Sequence, residues 1–151
     1  MIEFDTPNPK FRERVIKGFA DQRVMKTMGI TLESVDPGEV QLQLPFREDL
    51  TQQNGYLHAG VLGTALDTAC GFSAYTLMPM DASVLTVENK INLLRPAQNG
   101  PFRIVAKVVK PGRVIVVSEG RLYDVNGKLV ATMTATNMAV DLRSENVAPA
   151  D

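Results

Sequence analysis

Cysteine is nearly absent. Cys70 is the only one in 151 residues, which excludes an intrachain disulfide framework and fits a reducing cytoplasm. Histidine is equally scarce: His58 stands alone, and with a single cysteine it makes a poor ligand set for zinc, so no metal is expected. An excess of either charge is missing too. The formal net charge is −1, and without a basic block the chain shows no feature suited to nucleic acid or a charged membrane surface. Nor is there a clean membrane-length apolar run. Leu57–Met80 comes nearest, yet it contains Asp67, Tyr75, several hydroxyls and three glycines, so it reads as a segment buried in a soluble protein. The opening "MIEFDTPNPKFRER" mixes charges and prolines and lacks the apolar centre of a signal peptide.

What is present suits one domain over residues 1–151, since 44% of the chain is hydrophobic. Asn8-Pro9 resembles a helix start, and Phe11, Val15, Phe19 and Met28 recur near a 3.6-residue period, so one amphipathic helix is expected over about 9–28 with Gly29 as its left-handed cap. Val40, Leu42 and Leu44 alternate with polar residues beyond Asp36-Pro37-Gly38, which reads 30–46 as a β-hairpin. The polar loop "REDLTQQNG" leads into the apolar segment, expected to be a long helix. Four strand-like runs follow: "ASVLTVENKINLLRP", "PFRIVAKVVK", "RVIVVSEGRLYD" and "KLVATMTATNMAVDL", the last two joined by Asn126-Gly127. The tail, about 143–151, is expected to be disordered. Consecutive hairpins demand an antiparallel sheet, and a helix apolar nearly all round must be enclosed. A curved sheet wrapped round a central helix meets both demands: an α+β chain of the hotdog shape.

Asp67 poses the functional question, because its neighbours leave no plainly polar helix face and an acid is rarely buried without a partner. His58 precedes the same helix, whose first turn should offer unpaired N–H groups and the positive dipole end at Ala59 and Gly60. Donors of that kind stabilise a developing oxyanion. Asp67 cannot serve that end of its own helix. Nine residues beyond His58 is roughly 13 Å along the axis. A second chain lying antiparallel would bring its own Asp67 to the helix tip, so a homo-oligomer with a shared site is expected.

The pattern "NGYLHAGVLGTALDTACG", with "LTVENKINLLRPA", "PGR" at 111–113 and "DVNGKLVATMTAT", resembles the acyl-CoA thioesterases of the hotdog superfamily, the phenylacetate-pathway (PaaI-like) branch of the 4-hydroxybenzoyl-CoA thioesterases, over about residues 30–140. The resemblance implies hydrolysis of an acyl-CoA to free acid and coenzyme A, with no cofactor, by a dimer or a dimer of dimers. By the same resemblance the backbone N–H of Ala59, where the family usually has glycine, polarises the carbonyl. Asp67 is the helical carboxylate, as general base or as nucleophile, and Thr86 is the water-positioning hydroxyl. Gln52 replaces an asparagine that several members carry; Gln52, Gln53 and Asn54 are the candidate amides, Gln52 first.

A base working near neutral pH needs donors to its charged form, expected from Thr86 or Thr68. His58 and Gly60 are read as site-lining, and Arg95 and Arg113, with Lys110, as partners of coenzyme A phosphates. Cys70 is read as a small core residue. Two rivals stay open: a hotdog dehydratase of hydroxyacyl thioesters, and a non-catalytic acyl-CoA or fatty-acid binding protein.

Overall fold

The computed structural model describes residues 4–141; the tail expected to be disordered lies outside them. Two helices, α1 (Phe11–Asp21) and α2 (Arg23–Met28), precede a hairpin of β1 (Thr31–Asp36) and β2 (Glu39–Leu44). The long helix α3 (Ala59–Tyr75) follows, then β3 (Ala82–Leu93), β4 (Phe102–Lys110), β5 (Ile115–Tyr123) and β6 (Leu129–Asp141). The expected single N-terminal helix is therefore corrected: at Gln22 the backbone turns extended, with φ −73° and ψ 103°, and the chain restarts as α2. Gly29 closes α2 in the left-handed region at φ 71°. The start also differs from the expected Asn8-Pro9: α1 begins at Phe11 with Lys10 as its N-cap and no side-chain cap, and Asn8 Oδ1 accepts the Lys10 N–H at 2.9 Å in the turn just before it.

All six strands form one antiparallel sheet in the order β1-β2-β4-β5-β6-β3. Its inner face wraps α3, which packs against β2 through β6. The alternation in β2 buries Val40, Leu42 and Leu44, and β4 buries Phe102, Ile104 and Ala106 from the same side. The helix comes close to β5 at Gly120, where an added Cβ would stand 2.9 Å from Leu66 and 3.0 Å from the Cys70 sulfur. Among the described residues, no helix is long and apolar enough to cross a membrane.

One edge of the sheet is β3, and most of its residues are exposed. Three of its apolar residues stand open to solvent: Leu85 is 51%, Val87 56% and Leu93 50% exposed. An edge that is long, apolar and uncovered is a pairing surface.

Candidate active site

Two groups of residues occupy different places on α3. The first is at its N-terminus. His58 caps the helix: its Nδ1 accepts the Gly60 N–H at 2.9 Å, which in the neutral imidazole places the ring proton on Nε2. That contact corrects one expectation, because the Gly60 N–H is occupied by the cap. The Ala59 N–H has no partner among the described residues. Ala59 is the first helical residue, and among the described residues no non-glycine residue has a positive φ, so alanine holds this position without glycine's freedom.

A cleft of about 510 Å³ opens at this tip, lined by Gln52, Gln53, Tyr56, Leu57, His58, Ala59, Leu62 and residues 93–97. Backbone bonds hold the 51–58 loop, among them Gln52 N–H to Tyr56 O at 2.8 Å, Leu57 N–H to Ala97 O at 2.9 Å and His58 N–H to Leu50 O at 3.0 Å. Gln52 Oε1 accepts the Asn54 N–H, leaving the Gln52 –NH2 as a donor without a partner among the described residues. Asn54 is outside the lining of this cleft. Arg95 is in the lining, with its Nη1 donating to Leu129 O at 2.5 Å.

The second group is farther along the helix. Asp67, eight residues and about 12 Å from Ala59, is half-buried and turned toward β3. Its Oδ1 accepts from the Thr86 hydroxyl at 3.0 Å and from the Asn89 –NH2 at 3.2 Å. Thr68, the other expected donor, is bonded instead to Gln22 Oε1 at 3.3 Å. Asn89 was not among the residues anticipated. Side chains three apart on a regular strand face opposite ways. Between Thr86 and Glu88, however, the register with β6 slips by one: Thr86 faces Asn137, Glu88 faces Thr136 and Asn89 faces Ala135. The bulge at Val87 absorbs the extra residue and puts Thr86 and Asn89 on the same inner face. Both donors land on Oδ1 and leave Oδ2 available.

The two groups do not meet within one chain: Asp67, Thr86 and Asn89 are absent from the lining of the cleft. Arg113 is absent as well. It sits in the turn before β5, where Ile115 faces Met138 and Met138 faces Leu85, whereas Arg95 follows Leu93. Eight strand residues, roughly 26 Å, separate those two levels.

Cys70, one turn beyond Asp67, is fully buried. Burial first, then the negative charges of Asp67 and Glu119, push its thiol up to about 12. A thiol so reluctant to ionise is no nucleophile. Met25 and Met78 are core, Met80 is exposed and Tyr56 lines the cleft.

A family model described as the thioesterase superfamily matches residues 54–131, just over half of the chain. A thioesterase family protein from Silicibacter pomeroyi superposes with a TM-score of 0.84 at 46% identity, over 87% of this chain and 98% of its own. A candidate esterase of Saccharolobus solfataricus is 35% identical over 112 residues, 74% of this chain and 79% of its own. The 1,4-dihydroxy-2-naphthoyl-CoA hydrolase of Listeria monocytogenes is 29% identical over 113 residues, 75% of this chain and 92% of its own.

Proposed function

Since the chain belongs to the thioesterase superfamily, we propose that it hydrolyses an acyl-CoA, in the manner of the PaaI-like branch, at a site shared by two antiparallel copies. One observation carries the reading. The unpaired Ala59 N–H and the carboxylate of Asp67 stand about 12 Å apart on one rigid helix, with an exposed apolar edge strand beside the acid. A twofold axis that reverses α3 would place the partner's acid beside each helix tip. The same axis would bring Arg113 of one copy toward Arg95 of the other, giving coenzyme A phosphates two cations from opposite ends of the sheet. The Listeria relative acts on a CoA thioester by its name, which supports the substrate class.

The steps follow from the groups. Water adds to the thioester carbon and passes its proton to Asp67 Oδ2, the oxygen that Thr86 and Asn89 leave open. The carbonyl oxygen gains charge and is held by the Ala59 N–H at the positive end of the helix. The carbon–sulfur bond then breaks, and coenzyme A leaves with the proton returned from Asp67. The Gln52 –NH2 orients the water, and His58, its Nδ1 occupied by the cap, shapes the tip.

Two substitutions test the shared site. Ala59→Pro removes the N–H while keeping the fold, because proline is welcome at the first helical position and His58, at φ −60° and ψ 140°, is already extended as a residue before proline should be. Turnover should fall by about 10²–10³. Asp67→Asn should abolish turnover and leave ligand binding. Co-refolding the two dead variants should restore roughly a quarter of wild-type activity, because half the dimers are mixed and each mixed dimer keeps one intact site. No recovery, with mixed dimers demonstrated by mass spectrometry, would refute the shared site.

A further inference from the structure

Asn137 of β6 is buried completely, and its carboxamide lies against Gly71, one turn past Asp67 on α3. It faces Thr86 across the β3–β6 ladder. Two features of its surroundings are at odds. Its Nδ2 has no hydrogen-bond partner, and its Oδ1 stands 3.4 Å from Thr86 Oγ1, whose hydroxyl also reaches Asp67 Oδ1 at 3.0 Å. A threonine hydroxyl has one hydrogen and cannot donate to both oxygens. An orphaned buried amide N–H is also costly, because it gives up water and gains no partner. Turning the carboxamide by 180° removes the first conflict and pairs one of the two orphaned N–H groups, since its nitrogen and oxygen are nearly isosteric. The –NH2 then donates to Thr86 Oγ1, whose own hydrogen is committed to Asp67. The oxygen takes the orphan position, which a carbonyl tolerates better than an N–H does.

We propose that Asn137 is a positioning residue: its –NH2 donates to Thr86 Oγ1 and thereby fixes the Thr86 hydroxyl on Asp67 Oδ1. It touches neither substrate nor water. The consequence for turnover rests on the reading of Asp67 as the base; the hydrogen-bond direction does not. Three groups face Asp67 in this arrangement: Thr86 and Asn89 from β3, and Cys70 from its own helix, the last held as a neutral thiol. The chain of bonds gives Asp67 a fixed orientation, with Oδ2 free toward the cleft of the neighbouring copy.

Neutron diffraction on the unmodified, deuterium-exchanged protein reads the orientation directly. Two deuterons on the Asn137 atom nearest Thr86 are expected; an undeuterated oxygen there overturns the assignment, whatever the enzyme's activity. A double-mutant cycle reads the consequence. Asn137→Leu should lower kcat about tenfold with KM nearly unchanged, and in a Thr86→Val background it should cause no further loss. A loss that persists undiminished without the Thr86 hydroxyl assigns Asn137 a packing role and sinks the relay. Should Asn137→Leu fail to fold, the neutron map still decides the bond. Failure of Asp67→Asn to abolish turnover, with the deuterons found as expected, would overturn the base and spare the relay.

Discussion

At the scale of single residues, position on α3 separates three chemistries within one helix. His58 is a cap, Ala59 an exposed donor and Cys70 a buried thiol. The thiol makes a prediction with a definite sign. Its folded value of about 12 lies above the ordinary 9.0, so the native state retains a proton that the unfolded chain loses. That contribution is fully present below pH 9 and disappears as pH rises toward 12. Urea midpoints measured across that window should fall steeply for the wild type and less steeply for Cys70→Ala; parallel slopes would show that another group controls alkaline unfolding. Asp67 was legible from the sequence because an acid in an apolar helix stands out against its neighbours. Asn89 and Asn137 were not: an asparagine in a strand carries no such contrast, and its face depends on register.

At the scale of elements, irregularities matter as much as periodicity. The bulge at Val87 aligns two donors that regular pleating would separate. The break at Gln22 frees the side chain that Thr68 bonds. The end of α3 offers a third case. No glycine stops the helix, and its C-cap Thr76 keeps helical angles. Arg14 of α1 supplies the missing donors instead, reaching Tyr75 O at 2.5 Å, Pro79 O at 2.6 Å and Met78 O at 2.9 Å, with its guanidinium 3.9 Å over the Tyr75 ring. Arg14→Ala would leave the Met78 carbonyl without a partner, while Tyr75 O and Pro79 O keep the N–H groups of Met78 and Ala82, and should cost about 1–3 kcal/mol in urea unfolding. A loss below about 0.5 kcal/mol would mean that water replaces the guanidinium.

At the scale of the whole molecule, the sheet has two edges, α3 carries its free N–H and its acid at separate places, and the uncovered edge is beside the acid. Val87→Glu would set a charge on that edge without touching the inner face. Sedimentation should show a shift to monomer, with kcat falling in step; full activity in a monomer would remove the need for a partner. The sequence determined the hairpins, the enclosed helix, the acid within it and the donor at its tip, because hydrophobic period, turn chemistry and helical rise are local properties. Only the tertiary structure decided which oxygen of Asp67 is held, which amide and hydroxyl hold it, and that the Gly60 N–H is already occupied. Those outcomes depend on a one-residue slip between β3 and β6 and on loop closure across the chain, and no short stretch of sequence encodes the pairing of strands some fifty residues apart.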